Sequence, residues 1–198
     1  MRRKLAGACA LSVVCVVGAT APMSFAEGEP QPPVTTTAST TTAPVDIGSF
    51  LLPEIQRARR ETWRWERLMR VARTRSTRAA ERTNDADHRR AIYESWLEKA
   101  RSRKRQAHNP PRLRQWLCIH RYERHPHQGW RTKTQNGFFG GLQMNLEFQR
   151  TYGPELLRSK GTADRWTAIE QIWVAERAYR SGLGFHPWPN TARYCGLL

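Results

Sequence analysis

Glu123 is the residue whose position best suits acid–base chemistry in this chain. It directly follows an apolar run that we predict to be helical over residues 112–122, and aromatic residues lie close to it in sequence. A carboxyl group that neighbouring apolar side chains partly bury has a raised pKa, so it can protonate a leaving oxygen. This placement indicates cleavage of a glycosidic bond. On the residue alone, a glutamate that merely ends a helix is the alternative.

A glycine-rich segment at residues 136–144 supplies the candidate substrate groove beside that acid. Glycine lets a sugar approach backbone amides closely and accepts positive φ. An amide side chain in the segment can bind an N-acetyl group or orient Glu123, and nearby aromatic rings can stack on sugar faces. A structural turn lined by core aromatics is the alternative. The candidate substrate-binding residues are Gln143, Gly140, Gly141, Asn136, Trp130, Phe138 and Phe139.

Three histidines, His120, His125 and His127, invite a metal hypothesis that their spacing does not support. A helical zinc motif places two histidines four residues apart with a glutamate between them, and Pro126 breaks regular placement here. Solvated loop histidines are the simpler interpretation. We therefore expect no metal and no other cofactor.

The N-terminus has the pattern of an export signal over residues 1–26. Arg2, Arg3 and Lys4 precede an apolar run at residues 5–19 that is short for a membrane span. The small residues Ser24 and Ala26 stand at the two positions that a signal peptidase recognises. A retained membrane anchor is the alternative. The pattern predicts a secreted protein that works at or near the cell wall.

Removal of that signal leaves two cysteines, Cys118 and Cys195, an even number for an oxidising compartment. A bridge between them would join the first helix of the C-terminal domain to its last residues. Closing a loop of that length would stabilise the fold by roughly 4 kcal/mol. Two free buried thiols are the alternative.

The chain is strongly basic, with 33 Lys and Arg against 17 Asp and Glu and a formal net charge of +16. Much of the excess lies in residues 53–114. A basic cytosolic protein would suggest nucleic acid, but for an exported one the expected polyanions are cell-wall polymers or anionic lipid headgroups. We expect no nucleic-acid partner, and the oligomeric state stays open.

Composition divides the rest of the N-terminal half into a linker and a helical region. Residues 27–49 are rich in Thr and Pro and have little to bury, which predicts an extended linker. Residues 50–107 form the basic helical region, with a start at Pro53 and a new N-cap within residues 83–85. Apolar residues recur at helical spacing along a first segment, and a second helix with its own apolar face follows the polar break. We therefore predict a basic helical hairpin. The alternatives are a solvated spacer and a coiled coil. The two apolar faces comprise Ile55, Ala58, Thr62, Trp65, Met69 and Ala72, then Ile92, Trp96 and Ala100.

Residues 108–198 have the apolar density of a folded domain, with five of the eight tryptophans. We predict a mainly α domain of α+β type, with at most a small hairpin near residues 128–143. Asn145 can cap a helix that Gly153 stops, and Thr167 with Glu170 forms a capping box. Candidates for the buried face of the helix at 112–122 are Leu113, Trp116, Leu117, Ile119 and Tyr122.

Several stretches of residues 113–198 together resemble the actinobacterial transglycosylase-like domain, the lysozyme-like domain of resuscitation-promoting factors. The resemblance implies a lysozyme-like fold, Glu123 as the single catalytic acid, peptidoglycan glycan strands as substrate, and a bridge from the tail cysteine to the first helix. The stretches are Trp-Leu-Cys-Ile-His-Arg-Tyr-Glu at 116–123, Asn-Gly-Phe-Phe-Gly-Gly-Leu-Gln-Met at 136–144, Glu-Gln-Ile-Trp-Val-Ala-Glu at 170–176 and the tail at 188–196.

The chain departs from that family around the acid. In resuscitation-promoting factors a cysteine directly precedes the glutamate and Ser-Gly-Gly usually follows; here Cys118 lies five residues upstream and residues 124–129 read Arg-His-Pro-His-Gln-Gly. The changed segment at residues 124–129 would alter the wall of the substrate cleft beside Glu123. The expected function is cleavage of the β-1,4 bond between N-acetylmuramic acid and N-acetylglucosamine, by a lytic transglycosylase or a muramidase. The alternatives are an inactive peptidoglycan-binding module and a basic helical adaptor on anionic polymers.

Overall fold

The computed structural model describes residues 47–198 and places seven α-helices and one two-stranded sheet among them. The mainly α prediction is confirmed. The predicted signal at 1–26 and nearly all of the predicted linker at 27–49 lie outside the described residues. Of the helices within 47–198, none has the length and apolarity needed to cross a membrane.

Helix α1 spans Ile47–Met69, so the predicted start at Pro53 was wrong and the linker cannot extend to residue 49. Pro53 lies inside the helix, where it forgoes one backbone hydrogen bond. Leu51, in the preceding turn, packs on the apolar contact between α1 and the following helix. We attribute the earlier start to this packing, which local sequence preference does not reveal.

Helix α1 ends in a left-handed cap at Arg70, whose φ is 53°. The Val71 amide donates back to the Glu66 carbonyl at 3.1 Å, the bond that closes a Schellman motif. Ala72 therefore lies beyond the helix and is exposed, which corrects its place in the predicted stripe. The other predicted members of that stripe are all buried.

Helix α2 spans Ala86–Ala107 and begins where the polar break predicts. The Asp85 side chain accepts hydrogen bonds from the amides of Asp87 and His88, which confirms the N-cap. The helix returns along α1 as a hairpin, and its apolar face closes the contact. Ile55 and Ala58 of α1 pack there against Ile92, Trp96 and Ala100 of α2.

Residues 113–198 fold around a second apolar core centred on Trp116, which is fully buried. The ring of Trp116 lies 4.9 Å from that of Phe185 and 5.2 Å from that of Trp188, and its indole nitrogen donates to buried Glu176. The helices that surround this core are α3 (Leu113–Glu123), α4 (Leu146–Tyr152), α5 (Pro154–Lys160), α6 (Ala168–Ala178) and α7 (Pro189–Tyr194).

The predicted hairpin exists but lies slightly later in the chain than expected. Strand β1 (Phe138–Phe139) pairs antiparallel with β2 (Met144–Asn145), and Phe139 also forms an isolated bridge with Lys133. The Asn145 cap on α4 and the Thr167 capping box on α6 are both confirmed. Leu117 and Tyr122 are exposed, so the prediction that they face inward was wrong.

The helical hairpin packs on the C-terminal helices through a third apolar cluster. Trp65 and Met69 of α1 contact Trp173 of α6, with Leu156 and Ile169 at the margin. The indole of Trp173 donates to the Ala107 carbonyl at 2.8 Å. The hairpin and residues 108–198 therefore share a buried contact.

Candidate active site

Glu123 is the last residue of α3, and its carboxyl is half-buried. Burial raises the pKa of Glu123 above its ordinary value, while a hydrogen bond from Thr191 acts in the opposite direction. The negative end of the helix dipole also disfavours a carboxylate at this position. The local environment therefore favours a protonated acid at higher pH than a solvated glutamate would allow.

The raised pKa is not offset by a basic neighbour. Among residues 47–198, no Lys, Arg or His nitrogen forms a salt bridge with Glu123, although the chain carries 33 Lys and Arg. Half of the carboxylates within residues 47–198 do have such a partner, including Glu170 with Lys160 and Glu176 with Arg112. Glu123 is thus a half-buried carboxylate without an ion-pair partner among the described residues.

Helix α7 holds the carboxyl from the opposite side. The hydroxyl oxygen of Thr191, which is buried, lies 2.8 Å from Glu123 Oε1. A disulfide between Cys118 and Cys195 joins α3 to the end of α7, in the pairing that the cysteine count predicts. One covalent bond therefore fixes the two helices that carry the acid and its hydrogen-bond partner.

His120 lies one helical turn before Glu123 and connects α3 to the glycine-rich loop. Its ring stacks on Trp130 with centroids 3.8 Å apart, and its Nδ1 lies 2.9 Å from the carbonyl oxygen of Gly141. Burial lowers the pKa of His120, and the charge of Arg124 lowers it further, while the bond to Gly141 opposes both. Because the Gly141 carbonyl can only accept, the hydrogen of this bond belongs to His120 Nδ1, and burial of the ring favours its neutral form.

The two central glycines pack inside the protein. The Gly140 amide donates to the Thr132 carbonyl at 2.7 Å, and the Gly141 amide donates to Gln171 Oε1 at 2.8 Å. Both glycines are buried, and a Cβ on Gly141 would lie 2.3 Å from His120 Nδ1. These amides are occupied, which corrects the prediction that they face a sugar and agrees with the structural-turn alternative.

The other predicted contacts lie on the rim of this loop. Gln143 has a φ of 48° and donates its Nε2 to the Gly140 carbonyl at 2.8 Å, and no hydrogen bond joins it to Glu123 within the described part of the chain. Phe138 is exposed and Phe139 half-buried in β1, while exposed Asn136 accepts a hydrogen bond from the Thr134 hydroxyl. These side chains can reach a ligand from outside.

The remaining acids and histidines near the site have local roles. Glu147 lies in the first turn of α4, and Asp164 accepts from the Thr162 hydroxyl at 2.5 Å. The rings of His125 and His127 lie 5.6 Å apart in the loop after α3. Residues 47–198 contain no cluster of three or more His, Cys, Asp or Glu side chains arranged to hold a metal ion.

The sequence did not reveal two residues that organise the site. Gln171 is fully buried on α6, and its Nε2 donates to the carbonyls of Trp130, Ala163 and Trp166 while its Oε1 holds Gly141. Thr191 holds Glu123. Both lie within stretches that carry the family resemblance, so that resemblance was the available signal, but it did not indicate their roles.

No protein-family model, curated protein or solved structure matches this chain significantly.

Proposed function

We propose that this protein is an exported, lysozyme-like enzyme that cleaves the β-1,4 bond between N-acetylmuramic acid and N-acetylglucosamine in peptidoglycan. Glu123 is the acid that protonates the leaving oxygen. The observation that carries the proposal is the setting of that carboxyl: it is half-buried, has a raised pKa, forms no ion pair within residues 47–198 and is held by Thr191. A general acid needs these properties near neutral pH.

The Thr191 hydroxyl suits both protonation states of the acid. It lies 2.8 Å from Glu123 Oε1 and 3.3 Å from the Trp188 carbonyl oxygen. When Glu123 is ionised, the hydroxyl donates to it; when Glu123 is protonated, the carboxyl can donate to the hydroxyl, which then donates to Trp188. Glu123 can therefore act as an acid in the first half of a reaction and as a base in the second without losing its partner.

A single acid leaves two routes for the second half of the reaction. Enzymes with paired carboxylates use the second one as a nucleophile or to activate water. Here the 6-hydroxyl of the muramic acid can attack its own anomeric carbon, with Glu123 removing the hydroxyl proton, and the product is a 1,6-anhydro sugar. If water attacks instead, the product is a reducing end. We favour the first route, a lytic transglycosylase, with a muramidase as the alternative.

Substrate contacts are assigned to side chains on the rim of the groove. Gln143 keeps its Oε1 without a partner within residues 47–198 and can accept from an N-acetyl amide, and Asn136 can bind a sugar hydroxyl. Phe138, Phe139 and Trp130 offer aromatic edges or faces to sugar rings, although His120 covers one face of Trp130. The basic hairpin would attach the protein to anionic wall polymers or lipid headgroups.

The test is mass spectrometry of the products released from purified peptidoglycan by the disulfide-bonded protein. Glu123→Gln keeps the shape of the side chain but cannot donate an acidic proton, and Glu147→Gln is the matched control because Glu147 is exposed on α4. Anhydro-muropeptides that disappear only in Glu123→Gln establish a lytic transglycosylase, and Glu123-dependent reducing ends establish a muramidase. Products that persist in Glu123→Gln, or no products at all, refute catalysis by Glu123.

A peptidoglycan-binding module without turnover is the second candidate, and the loop after α3 favours it. Arg124 and His125 stand directly after the acid, and Arg124 donates to the Pro126 carbonyl at 3.0 Å. These side chains replace the small residues that usually follow the acid in the family that the chain resembles. This candidate predicts that Glu123→Gln binds insoluble peptidoglycan as well as the parent protein while neither releases soluble fragments.

A further inference from the structure

The hairpin contains a cavity whose charged lining is mostly basic. The cavity has a volume of about 550 Å³ and lies where α1, the short helical turn at Ala80–Arg82 and the start of α2 meet. Leu52, Gln56 and Trp63 complete the wall. Its charged lining consists of five arginines and one carboxylate: Arg59, Arg60, Arg78, Arg82, Arg89 and Glu81.

The single carboxylate is already used inside the wall. Buried Glu81 forms a salt bridge with buried Arg59 and accepts a hydrogen bond from the Thr77 hydroxyl at 2.7 Å. Glu81 thus neutralises Arg59 and no more. The other four arginines at the cavity have no carboxylate in its wall to neutralise their charge.

Those four arginines have no protein partner in the part of the chain that the structure describes. Arg60, Arg78, Arg82 and Arg89 make no salt bridge there, whereas eight other arginines do. Arg89 is half-buried, and its Nε is a buried donor without a hydrogen-bond acceptor within residues 47–198. A ligand that brings an acceptor oxygen into the cavity would satisfy this donor.

Polar contacts bind the connection between α1 and α2 to both helices. The Trp63 indole donates to the Thr74 carbonyl at 2.9 Å, and the Trp96 indole donates to the Thr77 hydroxyl at 2.6 Å. Glu66, buried beside them, accepts from both the amide and the hydroxyl of Thr74. The connection between α1 and α2 is therefore fixed on the helices, and its arginines are presented in a defined place.

Four unpaired guanidinium groups from three different elements suit a compact anion with several charges. A carboxylate is planar and takes one guanidinium fork, whereas a phosphate offers oxygens in a tetrahedral arrangement that several forks can share. A concave site also concentrates the positive potential. We propose that this cavity is a phosphate-binding site, for a phosphate or pyrophosphate group that is either free in solution or carried by a lipid headgroup.

The proposal deepens the anionic attachment that we propose for the hairpin and rests on it, but it is independent of glycan cleavage. If the hairpin bound anionic polymers only through its overall positive charge, every surface arginine would contribute equally to binding. A built site depends only on the arginines of the cavity. Pyrophosphate binding is measured without peptidoglycan, so failure of the enzymatic proposal leaves it unaffected.

The experiment is calorimetric titration of the purified protein with inorganic pyrophosphate at low salt. Arg60→Gln with Arg82→Gln removes two exposed charges from the cavity, and Arg101→Gln with Arg114→Gln removes two exposed charges elsewhere as the matched control. We expect the cavity pair to weaken binding about tenfold or more and the control pair less than about twofold. If circular dichroism shows that the cavity pair is unfolded, Arg78→Gln with Arg82→Gln replaces it.

Two further arms identify the ligand. The first arm uses vesicles of phosphatidylcholine with phosphatidic acid. Binding by the parent protein but not by the cavity-pair variant supports a lipid headgroup as the source of the phosphate. Equal vesicle binding by both proteins, while pyrophosphate binding still depends on the cavity arginines, supports a soluble phosphate. Citrate that binds as tightly as pyrophosphate refutes a phosphate site. Equal pyrophosphate binding by the two variant pairs, or no binding by the parent protein, refutes the cavity as a site.

Discussion

Thr191→Val tests whether the hydroxyl of Thr191 sets the acidity of Glu123. Valine keeps the shape of threonine in a buried position but removes the donor that lies 2.8 Å from Glu123 Oε1. A hydrogen bond to a charged group contributes about 1.5–3 kcal/mol, and one between neutral groups about 1 kcal/mol. Because Glu123 is only half-buried, we take the lower end of the first range.

The variant should therefore be less stable than the parent protein by about 1.5 kcal/mol at pH values where Glu123 is ionised in the folded protein, and by about 1 kcal/mol where it is protonated there. The ionised form loses more than the protonated form, so the pKa of Glu123 should rise further above its ordinary value. The alkaline limb of the pH profile of kcat/KM should move to higher pH with it.

The direct assay is a titration of the side-chain carboxyl carbon of Glu123 by NMR, with urea unfolding at pH 7 and pH 4 beside it. Thr151→Val is the control, since Thr151 is an exposed residue of α4 that donates only to the Glu147 carbonyl. An unchanged titration of Glu123 in Thr191→Val would refute the reasoning. A lower pKa would show that the hydroxyl hydrogen points to Trp188 and that Thr191 presents a lone pair to the carboxylate.

Three further predictions concern the frame around the acid. Replacing both Cys118 and Cys195 with serine should lower the free energy of unfolding by about 4 kcal/mol in urea titrations, because the bridge closes a loop across a separation of 77 residues; an effect below 1 kcal/mol would contradict this. Gly141→Ala should cost about 3 kcal/mol because its Cβ would overlap His120, whereas Gly137→Ala, with a positive φ but open space, should cost about 1 kcal/mol; equal costs would exclude the overlap as the cause. Because burial lowers the pKa of His120 in the folded protein, the unfolded chain binds more protons than the folded one below pH 6.5, and the free energy of unfolding should fall as the pH drops below that value. The variant His120→Gln should remove this part of the fall in urea titrations. An unchanged pH dependence in the variant would refute the role of His120.

Helix ends could be predicted from the sequence because their signals are local. Asp85, Asn145 and Thr167 each accept from an amide two or three residues later, so a short stretch of sequence contains both partners of the cap. The start of α1 could not be predicted in the same way. Pro53 is a strong local signal for a first turn, but packing of the preceding turn against α2 extends the helix to Ile47.

The buried face of α3 illustrates a second limit. Its apolar residues surround more than half of the helix, so periodicity alone did not separate the core face from the opposite one. Trp116 and Ile119 face the core, while Tyr122 lies outside, where its ring stacks with that of Tyr194 at 5.7 Å beside the disulfide. Contacts with residues far along the chain, such as Phe185 and Trp188 for the ring of Trp116, decide which face is buried.

Distance along the chain also decides which parts of the candidate site could be predicted from the sequence. The place of Glu123 at a helix end follows from the local pattern of α3. Its partner Thr191 lies 68 residues later, and no local pattern connects the two. The glycines are a case where a local signal suggested the wrong partner: their small size serves contact with Gln171 and His120 inside the protein rather than contact with a sugar.

Helix α6 connects the candidate active site to the basic hairpin. One side of it holds the glycine-rich loop through Gln171, and another side binds the hairpin, where Trp173 donates to the Ala107 carbonyl and buried Arg177 donates to the Leu68 carbonyl at 2.9 Å. A fragment that begins at residue 108 would expose Trp173 and leave Arg177 without that acceptor, since both partners lie upstream. A loss of activity in such a fragment would therefore reflect a disturbed α6 as much as a lost attachment surface. Substitutions on exposed arginines of the hairpin other than Arg64, which pairs with Glu170 of α6, separate the two effects, because they change its charge and leave the contact with α6 in place.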